Sequence, residues 1–240
     1  MRGTPAKIKI FGYDASSLDE MLLQRTKPIT GTSSIPGNAY AVSNETFGDS
    51  DLAGVNFSDL EHYAGICGGG TQNLYLLGKF TDGLKSVTLI DKSAWQLENF
   101  RKLIGIYNKS GTRKQYANSI HKHLISAGLC KEDCGYSLKE GVFSKPHLVG
   151  IPKIKLKKAD VVDALTEVTT HGTYLIYLSN VLEYLSPSKG DKLFHVIARN
   201  DNIFDGSKIV TTRLVSTFVS GQATEIFEKT GGRLIRQRYF

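Results

Sequence analysis

Three consecutive glycines, Gly68-Gly69-Gly70, are followed by Thr71-Gln72-Asn73 and preceded by a short apolar run, Tyr63 to Cys67. A strand that turns through glycines into a helix is the nucleotide-binding corner of open α/β sheets. The turn is tight, and a ligand there lies against bare backbone. The third position of the usual glycine pattern is Asn73, not glycine. Asp91 lies 23 residues past Gly68, closing the apolar run Ser86 to Ile90. A carboxylate at that place can accept hydrogen bonds from both hydroxyls of a ribose. Its plainer use is to cap a helix starting near Ser93. Loop, spacing and strand context together point to a ribose, with Lys92 beside the acid.

A dinucleotide carries a pyrophosphate that needs the positive end of the first helix. S-adenosylmethionine carries none, and its amino-acid tail lies by the glycine loop. Three features favour the second ligand. Asp160, followed by Val161, stands just after the run Lys153 to Leu156, where it can meet an adenine amino group. Ser179-Asn180 ends the run Tyr174 to Leu178 at the pocket mouth. The chain closes with a hairpin pattern. Glu183 and Tyr184 follow directly as candidates for a catalytic base or a substrate-orienting group; their plainer reading is a helix start. An NAD-dependent oxidoreductase would use the same loop and Asp91, and a non-catalytic nucleotide-binding module would keep the pocket without the chemistry.

The elements that must position these residues are legible in the apolar periodicity. Strands are expected at Lys7 to Phe11, Tyr63 to Cys67, Ser86 to Ile90, Lys153 to Leu156, Tyr174 to Leu178 and Lys208 to Leu214. Helices are expected at Ser16 to Leu23, from Thr71, at Ser93 to Tyr107 and at Ser188 to Arg199. Glu225 to Glu228 and Leu234 to Phe240 flank Gly231-Gly232 as a hairpin. Alternating strands and helices predict an α/β fold: a Rossmann-like three-layer sandwich whose mainly parallel sheet ends in a C-terminal antiparallel hairpin. The expected organisation is an N-terminal segment or lid over 1–59, rich in Gly, Ser, Thr and Asn from 28 to 58. The binding domain follows over 60–240, with an insert at 108–150.

The quoted runs resemble the class I S-adenosylmethionine-dependent methyltransferases over residues 60–240. The likeness lies in residues 64–70, Leu89-Ile90-Asp91, Lys158-Ala159-Asp160 and Leu178 to Leu185. It implies S-adenosylmethionine as cofactor, methyl transfer to an acceptor, a sheet of about seven strands and no required metal. Gly68, Gly69, Gly70, Asn73, Asp91, Lys92, Asp160, Val161, Ser179 and Asn180 would then surround the cofactor. Residues 68–73, Asp91 with Gln96-Leu97, and Ser179-Asn180 are also similar to enzymes that move the 3-amino-3-carboxypropyl group in betaine-lipid synthesis.

Composition is ordinary for a globular chain of 240 residues, 40% hydrophobic and 22% charged. No apolar run approaches the roughly 18 residues that span a bilayer, and no apolar signal core follows Met1. Three cysteines argue against a secreted disulfide scaffold. The expected location is cytoplasmic. His121, His123, Cys130, Cys134 and His147 could be imagined around zinc, but Gly128 and Gly135 break the helical face that the site would need. The net charge of +7 permits a nucleic-acid partner without demanding one. The densest local clusters are Lys153 to Lys158 and Arg233 to Arg238, and a small-molecule acceptor is the favoured partner.

Overall fold

The computed structural model describes residues 10–11, 52, 55–68, 70–80, 83–126, 148, 150–214 and 222–239. The strands are β1 (Ile10–Phe11), β2 (His62–Ile66), β3 (Ser86–Asp91), β4 (Ile154–Lys158), β5 (Tyr174–Ser179), β6 (Lys208–Leu214), β7 (Gln222–Thr230) and β8 (Arg233–Tyr239). The helices are α1 (Gly70–Leu77), α2 (Ala94–Lys109), α3 (Arg113–Ser126), α4 (Val161–Thr166) and α5 (Pro187–Arg199). All eight strands form one sheet in the order β1-β4-β3-β2-β5-β6-β7-β8. Pairing is parallel from β1 across to β6 and antiparallel for β6–β7 and β7–β8.

Burial explains the strand patterns. Every residue of β5, Tyr174 to Ser179, is buried, because a central parallel strand is covered on both faces. In β4, nearer the edge, buried Ile154 and Leu156 alternate with exposed Lys155. One apolar layer joins the sheet to α1, α2 and α3 through Leu74, Leu97, Phe100, Ile104 and Tyr116. The other joins it to α4 and α5 through Val162, Leu165, Leu193 and Ile197. These are the three layers that the sequence predicts.

Local signals fix the ends. Ser93 caps α2 by accepting the Gln96 N–H. Pro187 opens α5, where its missing N–H has no helical partner to lose. Gly231 and Gly232 join β7 to β8 with φ of 57° and 70°. Two successive left-handed residues match a tight hairpin turn whose twist suits the strands.

Two helices go beyond the sequence reading. α3 lies within the insert at 108–150 and packs on α2 through Tyr107 and Tyr116, edge to face at 6.0 Å. α4 starts directly at Asp160. β1 lies within the expected N-terminal segment yet joins the sheet edge beside β4. The expected helix at 16–23 and most of the 28–58 lid lie outside the described residues. Among the described residues no helix is long and apolar enough to cross a membrane.

Candidate functional site

The strand order creates a crevice. β2 stands at the centre; the chain passes from it to β3 and β4 on one side, then returns to β5 and β6 on the other. Loops leaving β2 and β5 therefore diverge, and a cleft opens at their carboxyl ends, where open α/β sheets bind ligands. Registers place the sequence-derived residues there. Gly65 pairs with Leu89 and Tyr177, and Asp91 pairs with Lys158. The Cys67 N–H donates to Ile90 O at 2.9 Å, and the Ala159 N–H donates to Asp91 O at 3.1 Å. The loops carrying Gly68, Asp91 and Asp160 are thus laced side by side.

The glycines do different jobs. Beyond its chain neighbours, a Cβ on Gly68 would come no closer than 4.0 Å to any described protein atom, so its backbone is bare among the described residues. A Cβ on Gly70 would meet Leu103 Cδ1 at 2.6 Å and Phe100 at 3.1 Å. Gly70 therefore lets α1 press against α2. Gly69 lies outside the described residues.

Asn73 is fully buried. Its Nδ2 donates to Ile66 O at 2.9 Å, and its Oδ1 accepts from the Tyr63 hydroxyl at 2.7 Å. A Cβ on Gly65 would come within 2.3 Å of that Oδ1. Asn73 thus fastens α1 across the end of β2. Gln96 adds a second fastening, donating from Nε2 to Cys67 O at 3.4 Å. The sequence reading gave Gln96 no role of its own. Its signal was a polar residue flanking the apolar stripe of Leu97, Phe100 and Ile104.

Asp91 is half-buried at the end of β3. Its Oδ1 accepts the Ser93 N–H at 2.8 Å, and the Lys92 N–H supplies a further donor. Burial nonetheless raises its pKa to about 6, outweighing both donors and the Lys92 charge. Lys92 itself is exposed. Asp160 is the N-cap of α4, its Oδ1 accepting the Val162 N–H at 2.9 Å, and Val161 is buried just behind it. Cys67 is buried beside Asp91, and burial pushes its thiol well up, which suits packing and not nucleophilic attack.

Across the crevice, Ser179 has φ of 54°, the only left-handed non-glycine among the described residues. Such a conformation in a non-glycine persists only when its surroundings impose it. The β5–β6 ladder is irregular between Tyr177 and Ser179, and the Thr211 hydroxyl donates to Ser179 O at 2.7 Å. The distortion turns the chain into Asn180. A short 3-10 turn, Val181–Tyr184, follows. Glu183 and Tyr184 are exposed on it, Tyr184 by 56%.

Among the described residues no group of three His, Cys, Asp or Glu side chains could hold a metal ion. His123 Nε2 instead lies 2.6 Å from Asn99 Oδ1. Cys130, Cys134 and His147 lie outside the described residues.

No family model and no curated protein sequence matches the chain. Solved structures similar to it include PigF with SAH, at 13% identity and a TM-score of 0.32, covering 66% of this chain and 33% of that one. The S-adenosylmethionine-dependent methyltransferase SibL in its apo form is similar at 18% identity and a TM-score of 0.36, covering 68% and 34%. The rRNA methyltransferase aviRa from Streptomyces viridochromogenes is similar at 15% identity and a TM-score of 0.42, covering 78% and 80%. The chain spans about a third of the first two proteins. Likenesses this distant assign no substrate and no residue roles, and the strand order itself defines the Rossmann-like fold.

Proposed function

We propose that the crevice binds S-adenosylmethionine and that the chain transfers a methyl group from it to a nucleophilic acceptor. The observation that carries this reading is Asp91. Desolvation keeps this carboxylate at the end of β3 poorly satisfied although two backbone N–H groups point at it. A carboxylate offers about four acceptor positions, so room remains for two ribose hydroxyls. The fit extends to its neighbours. Gly68 leaves backbone uncovered for a ligand, and Asp160 and Val161 border the same edge beyond Asp91. Ser179 and Asn180 face the loop from the far side.

When bound, S-adenosylmethionine supplies a sulfonium whose attached carbons are electrophilic. The protein's own residues then act mainly by placing the acceptor, which can yield several kcal/mol of barrier reduction. Asn73 and Gln96 position the glycine loop without touching the ligand. Glu183 and Tyr184, exposed on the turn that follows Asn180, orient the acceptor or take its proton in this reading.

The test is incubation with S-adenosylmethionine labelled in both the methyl and the aminocarboxypropyl group, followed by mass analysis of the nucleoside product. S-adenosylhomocysteine supports methyl transfer. Methylthioadenosine would move the assignment to aminocarboxypropyl transfer. Quenching of nicotinamide fluorescence with no affinity for S-adenosylmethionine would move it to hydride chemistry.

A further inference from the structure

The chain's net positive charge is concentrated in one stretch of the sequence. Residues 92–126, which hold α2 and α3, contain seven lysines and arginines against a single acid, Glu98, a net of +6 out of the whole chain's +7. That acid is buried, and Arg101 grips it through two hydrogen bonds of 2.6 and 2.7 Å. Lys92, Lys109, Lys114 and Lys122 are exposed. Between the two helices lies a cavity of about 380 Å³ lined by Arg101, Lys102, Gly105, Ile106, Lys109 and His123.

Gly105 is the second observation. It sits in the middle of α2, where glycine costs about 1 kcal/mol relative to alanine. A Cβ there would meet no atom of another described element within 4 Å, so packing among the described residues does not demand its absence. The missing side chain keeps the cavity floor low between cations, as where another chain's backbone approaches closely. The basic face also runs to the crevice. Lys92 adjoins Asp91 at the rim, and α2 extends from there for 16 residues, about 24 Å of helix. Exposed Tyr184 follows β5 at the same edge and offers an aromatic face of the kind on which bases stack.

We propose that the outer face of α2 and α3 binds the phosphate backbone of a nucleic acid strand and leads it to the crevice, which makes a nucleic acid the acceptor. The second half rests on the cofactor reading above; the first half does not. Backbone phosphates bring many negative charges at short intervals, which matches a row of cations better than a single small anion does. A net charge this localised also steers encounter toward one face.

The experiment is fluorescence anisotropy of the full chain with a labelled single-stranded RNA 20-mer of mixed sequence, titrated at several salt concentrations. The wild type binds, with affinity falling steeply as salt rises. The double substitution Lys109→Glu with Lys122→Glu, both exposed, weakens binding at least tenfold and lowers the salt slope by about 1.4, two lost contacts at about 0.7 each. Gly105→Glu, which puts a carboxylate on the cavity floor, does the same by a separate route. Arg233→Glu, an exposed reversal on β8, leaves binding unchanged. Thermal melts confirm that each variant is folded, and calorimetry shows unchanged S-adenosylmethionine affinity. No binding by the wild type, or equal loss from Arg233→Glu, overturns the proposal. Intact RNA binding without any S-adenosylmethionine affinity would instead remove the cofactor reading and leave the docking face standing.

Discussion

The two ends of the sheet treat polar groups in opposite ways. At the amino ends of β2, β3 and β5 the described polar and charged groups are paired. Buried His62 meets Ser86 Oγ at 2.7 Å and His171 O at 3.3 Å. Glu61 pairs with Lys85, whose ammonium holds its carboxyl below the ordinary value. At the carboxyl ends the same strands carry Asp91 with a raised pKa, Ser179 in left-handed backbone and bare Gly68. The buried Thr71 hydroxyl has no hydrogen-bond partner among the described residues. One end is arranged for stability. The other tolerates desolvation and strain, which collect where a fold does chemistry.

Breaking the frame beneath the crevice has the largest expected effect on stability. Asn73→Ala removes two buried hydrogen bonds, one to Ile66 O and one from the Tyr63 hydroxyl. At about 1–3 kcal/mol per buried bond lost, urea unfolding is expected to show a loss of about 2–4 kcal/mol.

Asp91→Asn sharpens the comparison by acting in the opposite direction. The folded-state pKa of about 6 lies above the ordinary 3.8. The folded protein therefore holds this proton more tightly than the unfolded chain does. Its contribution to stability is fully present below pH 4, is lost as pH rises through 6, and at neutral pH amounts to a deficit of up to about 3 kcal/mol. Asparagine keeps the acceptor oxygen without the charge, so the variant is expected to melt several degrees higher at pH 7.5, at about 2–4 °C per kcal/mol. His62 titrates in the other sense. Burial lowers its pKa, so its contribution is lost as pH falls below about 6.5. The two ends therefore partly cancel between pH 4 and 6.5. In Asp91→Asn the cancellation is gone, and stability is expected to fall more steeply with acid than in wild type, as urea midpoints at pH 7 and pH 5 will show.

Lys85→Ala at the quiet end has the smallest expected effect, under about 1 kcal/mol, because the lysine is 63% exposed and its ion pair is screened. A loss above 2 kcal/mol in urea would show that this end is less redundant than its pairings suggest.

Much of this division was legible in the sequence. Runs such as Tyr174 to Leu178 and Lys208 to Leu214 carry enough apolar and β-branched residues to name their own strands. Glycine spacing and Asp91 point to the carboxyl ends of β2 and β3 from the sequence. Less legible were roles that depend on contacts between distant segments. Nothing local reveals that Asn73 is claimed by Tyr63 and Ile66, or that Gly70 is small because Leu103 is close. α3 is hard to read because its sequence is mostly polar, with Tyr116 and Ile120 the fully buried apolar residues among its described side chains. The densest local clusters of bases in the sequence are Lys153 to Lys158 and Arg233 to Arg238. The largest net excess, +6, lies instead in residues 92–126, where the bases are more widely spaced.

The most direct measurement is calorimetric titration of S-adenosylmethionine into the wild type and into folded Asp91→Ala at pH 7.5. Two ribose hydroxyls losing a charged acceptor correspond to roughly 1.5–3 kcal/mol, so affinity should fall about 10- to 150-fold. The wild-type affinity should also weaken as pH drops below about 6, where Asp91 takes up its proton. Equal affinity in wild type and a folded Asp91→Ala, with no pH dependence near 6, would contradict the assignment of this crevice to the cofactor.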